Sequence, residues 1–91
     1  MYSLKYSKRF KKELKKIAKQ DKSAINELKK VLGLLILDRQ LDKKYKNHCL
    51  KGEFKNCFEC HIKPDVLLIY KIEKQELIIL LLRIGSHSDL F

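Results

Sequence analysis

Three histidines, one aspartate and one arginine carry this chain's capacity for chemistry: His48, His61, His87, Asp65 and Arg83. Imidazole gives and takes protons near neutrality. Guanidinium stays charged and forks onto phosphate oxygens. Together these types meet the needs of RNA transesterification. A base withdraws the 2′-OH proton, an acid protonates the departing 5′ oxygen, and a cation stabilises the charge building on the phosphorane. RNA brings its own nucleophile, so the step needs no serine, cysteine or metal. Taken one at a time, each residue also reads as a surface histidine, a turn aspartate or a surface arginine, and only their joint placement makes a site.

A second motif competes for attention. Cys57-Phe58-Glu59-Cys60-His61 matches C-x-x-C-H, the attachment pattern of c-type haem. The segment alternates as a strand and no export signal precedes it. The lone methionine, Met1, is a poor axial ligand. Zinc on Cys49, Cys57, Cys60 and His48 or His61 meets the same obstacle, because a strand sends Cys57 and Cys60 to opposite faces while a zinc knuckle needs both on one side of a turn. The reading is therefore three free thiols, no metal and no cofactor.

The elements that must position the five residues follow from hydrophobic spacing. Met1 to Tyr6 alternates as a short edge strand. Ser7 offers an N-cap, and Phe10, Leu14, Ile17 and Ala18 follow at helical spacing. A second helix starts at Asp21 or Ser23 with Ile25, Leu28, Leu32 and Leu35 on one face. Val31, Leu34, Ile36 and Leu37 predict a C-terminal half buried nearly all round, with Gly33 allowing close packing. Residues 38–47 read as a polar connection. From Leu50 the period changes to two. Cys57 to Ile62 forms a strand with Phe58, Cys60 and Ile62 on one face and Cys57, Glu59 and His61 on the other. Lys63-Pro64-Asp65 is a turn. Val66 to Ile72 and Leu77 to Ile84 are apolar strands joined by residues 73–76, and residues 85–91 form a tail.

The order β-α-α-β-β-β, with room for a further strand, predicts an α+β fold: two N-terminal helices on one face of a small antiparallel sheet, in a single domain spanning 1–91. Antiparallel pairing gathers His48, the end of the strand holding His61, Asp65, Arg83 and His87 toward one rim. Two helices leave part of the other sheet face exposed and apolar, a surface that usually marks a partner.

Ninety-one residues with 45% hydrophobic and 35% charged side chains suit a folded domain rather than a disordered tail. No apolar run approaches the ~18 residues that span a bilayer, and Met1 to Lys5 lacks a secretory h-region. The expectation is a cytoplasmic protein with no membrane partner. Twenty-one Lys and Arg against eleven Asp and Glu give a net charge of +10, which attracts polyanions. Much of it lies in residues 1–22, on Lys5, Lys8, Arg9, Lys11, Lys12, Lys15, Lys16, Lys19 and Lys22, with Glu13 and Asp21 the only acids there. Charge alone does not choose among nucleic acid, a membrane surface and an acidic protein.

Four segments in order carry a resemblance: Tyr45-Lys46-Asn47-His48-Cys49-Leu50-Lys51-Gly52, Glu59-Cys60-His61-Ile62-Lys63-Pro64-Asp65, Leu68-Ile69-Tyr70-Lys71, and Arg83-Ile84-Gly85-Ser86-His87-Ser88-Asp89-Leu90-Phe91. At these separations the chain resembles the YafQ branch of the RelE superfamily of bacterial toxins. It departs at Cys49, where the family often has proline. The resemblance implies a toxin of a type II toxin–antitoxin system, an endoribonuclease that cuts mRNA in the ribosome and is neutralised by an acidic antitoxin. It implies His48, His61, Asp65, Arg83 and His87 as catalytic positions and Phe91, Lys51 and Lys55 as substrate contacts. Two alternatives stay open: a non-catalytic basic module that binds nucleic acid or protein, and a gyrase-inhibiting toxin on the same fold.

This assignment predicts that His87→Ala, through a rate loss of about 10²–10⁴, and Arg83→Ala each abolish growth arrest on expression, with little change in melting temperature. The Cys57→Ser/Cys60→Ser pair should keep most of the activity. A folded but inactive cysteine pair beside an active His87→Ala would move the chemistry to the C-x-x-C-H segment.

Overall fold

A computed structural model describes residues 1–52 and 56–91. Strand β1 (Ser3–Tyr6) leads into helix α1 (Lys8–Gln20) and helix α2 (Lys22–Ile36). A 3₁₀ turn (Lys43–Tyr45) precedes β2 (His48–Cys49), β3 (Cys57–Lys63), β4 (Val66–Glu73), β5 (Ile78–Gly85) and a terminal turn of helix, α3 (His87–Leu90). Among the described residues five strands form one sheet in the order β1-β5-β4-β3-β2. The neighbours from β2 to β5 pair antiparallel, as expected. Only β1 lies parallel, beside β5, with Ser3 opposite Ile78 and Tyr6 opposite Leu81.

Both helices cover one sheet face. Phe10 and Ile17 of α1 and Ala24, Leu28, Val31 and Leu35 of α2 pack on Cys60, Ile62, Leu68, Tyr70, Leu81 and Ile84. The lysines of α1 remain on its outer side because its apolar residues recur only at helical spacing. One residue separates the two helices. Asp21, in extended backbone, donates its N–H to the Ile17 carbonyl and accepts from Ser23 and Ala24 N–H with its carboxylate. It therefore closes one helix and caps the next.

Ser7 joins α1 to the sheet. Its hydroxyl accepts from Phe10 N at 2.9 Å, capping the helix, and donates to the Leu82 carbonyl at 2.8 Å. Leu82 is the extra residue of a bulge: Ile69 lies opposite Arg83 while Tyr70 lies opposite Leu81. At the far end, Leu77 adopts φ 56°, a costly left-handed conformation for leucine, and its carbonyl accepts from Ser3 N at 2.8 Å to start β1.

Several expectations change. The buried row of α2 is Ala24, Leu28, Val31 and Leu35, one position off the row through Ile25 and Leu32. Its C-terminal half is not buried all round, because α2 meets the sheet on one side only, and Gly33 faces open space with no atom within 4 Å of a Cβ there. The connection over 38–47 is not merely polar, since Leu41 and Tyr45 enter the core. The second sheet face is not left bare: Leu67 and Ile69 lie under Leu90 of α3 and beside Cys57, with Leu50 and Leu82 flanking. The residues read as a tail thus supply the cover that two helices could not. Among the described residues no helix is long and apolar enough to cross a membrane.

Ser7→Ala removes the cap and leaves the Leu82 carbonyl without its side-chain donor. It should cost about 1–2 kcal/mol in urea denaturation, whereas Ser7→Thr keeps most of the stability. Equal denaturation midpoints for the alanine variant and the parent would deny the hydroxyl this double role.

Candidate active site

The register of four strands builds the site in two rows. The first runs His48–Glu59–Ile69–Arg83 and the second His61–Leu67–Gly85. Strands sit ~4.8 Å apart, so the His61 and Gly85 backbones stand about 10 Å apart. Between them Leu67 and Ile69, at 1% and 0% exposure, form a floor.

Glu59 is the residue that the sequence reading passed over. It is the buried charged side chain of the described core, at 6% exposure. Its Oε1 lies 3.5 Å from His48 Nε2 and 3.7 Å from His61 Nε2. These are close electrostatic contacts, longer than hydrogen bonds. A carboxylate in that setting calls for polar neighbours, and the edges of two imidazoles stand beside it. The signal was present, since alternation places Glu59 on the same face as His61. What was missing was β2, which sets His48 directly opposite Glu59.

His48 is further oriented by its other nitrogen. Nδ1 lies 2.7 Å from the Lys46 carbonyl, which can only accept, so Nδ1 carries a hydrogen and the ring turns Nε2 toward Glu59. Lys46 holds that carbonyl from a left-handed backbone, φ 47°, at the end of the 3₁₀ turn.

At the other end of the rows, Arg83 is held rather than loose. Its Nε donates to Glu13 Oε1 and Oε2 at 3.0 and 3.1 Å, and Nη2 donates to Oε2 at 2.8 Å and to the Asp89 carbonyl at 3.2 Å. Glu13 Oε1 also accepts from Ile84 N at 3.2 Å. The hydrogen bonds to Glu13 raise the guanidinium pKa above its ordinary value. Arg83→Ala therefore strips a part-buried carboxylate of its partner, and the expectation of an unchanged melting temperature gives way to a lowered one. Glu13, the lone acid inside a cationic helix, was the signal for this pair.

Gly85 admits the final turn: a Cβ there would lie 3.3 Å from Asp89 Cβ. Ser86 Oγ accepts from Asp89 N at 3.2 Å and Asp89 Oδ2 accepts from Ser86 N at 3.3 Å, a reciprocal capping box. This turn seats Leu90 on the floor and presents His87, exposed, with its ring centroid 5.1 Å from that of Phe91. His87 is thus ordered by α3 and not carried on a free tail.

Asp65, exposed in the β3–β4 turn, lines a shallow hollow with Val66, Ser86 and Asp89. Among the described residues its carboxylate makes no ion pair with an imidazole. Lys51 is exposed after β2, and Lys55 lies outside the described residues. Cys57 and Cys60 fall on opposite faces and are both buried. Burial pushes the Cys60 thiol up to about 12 and Cys57 in the same direction, so neither is a ready thiolate. Among the described residues no three His, Cys, Asp or Glu side chains gather as a metal requires.

Residues 2–91 match the family model for the bacterial toxin of type II toxin–antitoxin systems, YafQ. The mRNA interferase toxin YafQ of Escherichia coli (strain K12) is 35% identical over 89 residues, covering 97% of this chain and 94% of that protein. The crystal structure of a metal-bound toxin from Helicobacter pylori is similar at TM-score 0.91 and 47% identity over 100% of both chains. The E. coli DinJ–YafQ complex is similar at TM-score 0.89 and 34% identity, over 100% of this chain and 99% of that one.

The capping box makes a pH prediction. Hydrogen bonds from Ser86, first its side chain and then its backbone, with help from Lys16 and Arg83, hold the Asp89 carboxyl below its ordinary value of 3.8. A carboxyl depressed in the folded state contributes stability above its unfolded pKa and loses it as pH falls through the folded one. The α3 turn should hold at neutral pH and loosen in acid, seen as a shift of the Leu90 and Phe91 amide resonances that begins below pH 3.8 and is absent in Asp89→Asn. An identical acid step in both proteins would assign the transition elsewhere.

Proposed function

The chain belongs to the YafQ family of bacterial type II toxin–antitoxin toxins, and from that membership we propose how it works as an mRNA-cleaving endoribonuclease. Its partners are its message and a cognate acidic antitoxin, as the paired DinJ–YafQ assembly of E. coli suggests. We place its action in the cytoplasm, in the ribosomal A site, as a single-domain enzyme. The observation that carries the chemical reading is the carboxylate of Glu59 set between the imidazoles of His48 and His61 on the sheet face away from α1 and α2.

In this reading His48 or His61 takes the 2′-OH proton while Glu59 holds both rings and stabilises the positive charge that one acquires. The 2′ oxygen bonds to phosphorus, the P–O5′ bond breaks, and His87 delivers a proton to the departing oxygen. Arg83 faces the charge on the non-bridging oxygens. Glu13 holds its Nε and Nη2, and in this reading Nη1 is the nitrogen that meets phosphate. Phe91 stacks on a base, a contact worth ~1–3 kcal/mol. Asp65 and Lys51 border the approach, and Lys55 is carried with them as a substrate contact. The Helicobacter pylori relative is a metal-bound toxin; among the described residues no group of three or more His, Cys, Asp or Glu is placed to hold an ion, and the acid–base step proposed here calls on proton transfer.

Cleavage of a translated message should leave 2′,3′-cyclic phosphate and 5′-hydroxyl ends, and should persist in excess EDTA once magnesium is restored for the ribosome. Recovery of activity only with Zn²⁺ or Mn²⁺ would overturn the metal-free mechanism. Gyrase inhibition or passive binding would yield no cyclic phosphate at all.

A further inference from the structure

A hollow of about 410 Å³ opens beside His61, and the chemistry above leaves it without a role. Lys44, Tyr45, Lys46, Ile62 and Lys63 line it with His61. Its three cations come from different backbone settings. Lys44, in the 3₁₀ turn, places Nζ 5.1 Å from the Tyr45 ring centroid. Lys46 is the left-handed residue whose carbonyl orients His48. Lys63 ends β3, and its Nζ donates to Ser23 Oγ at 2.8 Å. The carboxylate on the wall, Glu27, is already engaged: Oε2 accepts from the Tyr45 hydroxyl at 2.7 Å and Oε1 lies 3.5 Å from Lys30 Nζ. The hollow therefore presents net positive charge at the edge of the imidazole pair, within the ~300–1,000 Å³ range of small-molecule sites.

We propose that this hollow is a nucleotide subsite, in which Lys44, Lys46 and Lys63 hold the backbone phosphate of the residue adjoining the scissile bond in single-stranded RNA. The proposal rests on the ribonuclease reading and adds the surface that holds the strand. Ammonium groups meet phosphate as point charges without the planar fork of arginine. The subsite therefore anchors the strand without reading its bases. The occupant is tied to the chemistry through Lys46, since that residue both lines the hollow and supplies the carbonyl that sets His48.

The test is fluorescence anisotropy of the full chain with a short single-stranded 2′-O-methyl RNA, which lacks the attacking hydroxyl and cannot be cut, across a salt series. Lys44→Gln/Lys46→Gln should reduce the slope of log K against log salt by about 0.7, the value for one phosphate contact on a single strand, and weaken binding about tenfold at low salt. The charge-matched control Lys29→Gln/Lys74→Gln, on exposed residues away from the hollow, should change the slope little. On programmed ribosomes the first pair should raise KM and leave cut-site preference as it is in the parent. If the parent cuts RNA but the two pairs bind alike, the subsite is overturned and the nuclease reading stands. If the parent cuts nothing while the slope difference persists, the nuclease reading fails and the subsite stands. Should the first pair instead lose affinity only for an acidic antitoxin peptide, the hollow belongs to a protein partner and the proposal is wrong.

Discussion

Slipping β3 by one residue against β4 would send Glu59 and His61 into the helix-covered core and bring Cys60 and Ile62 out. The functional face of this protein therefore depends on strand register before it depends on any single side chain. The apolar alternation of β3 and β4 enforces that register: Cys60 and Leu68 sit opposite one another in the main core, and Ile69 lies beneath the other face. The bulge at Leu82 then shifts β5 so that Arg83 enters the same row as Glu59. Ser7 binds the bulged carbonyl, so the N-terminus of α1 and the register of β5 are joined at one hydroxyl.

A chain with net charge +10 is pushed apart by its own surface, and the placement of its few acids answers that. Glu13 ties α1 to β5 through Arg83 and Ile84 N. Glu27 ties α2 to the 3₁₀ turn through Tyr45, whose hydroxyl is pushed up to about 12 by burial and by that carboxylate. Asp21 joins the two helices and Asp89 closes the last turn. Carboxylates thus tie elements together while the lysines of α1 stay at its surface. Buried or half-buried ion pairs contribute little net stability of themselves. The value of the Glu13–Arg83 pair here is geometric, because it fixes α1 against β5.

The second sheet face shows how few residues can decide function. Leu90, carried by one turn of helix, packs with Leu67 and Ile69 beside Cys57, and the same turn carries His87 and sets its ring centroid 5.1 Å from that of Phe91. Core packing and the presentation of the imidazole proposed as the acid are a single event in α3. Gly85 makes it sterically possible, because Asp89 occupies the space where a side chain would stand.

What the sequence determined by itself was local. The helices and their Ser7 and Asp21 caps, the strands, the opposite facing of Cys57 and Cys60, and the motifs around His48, His61 and His87 follow from periodicity and from the hydrogen bonds that particular side chains make with adjacent backbone. Only the tertiary structure decided the rest. The two-residue strand β2 carries no periodicity to detect, yet it places His48 across from Glu59. The pairing of Arg83 with Glu13 spans most of the chain. The buried face of α2 turned by one position, and Gly33 met solvent instead of a neighbour. A pattern of apolar residues says that a face will be covered, but which side chain covers it depends on where the chain returns, and that is a property of the packed whole.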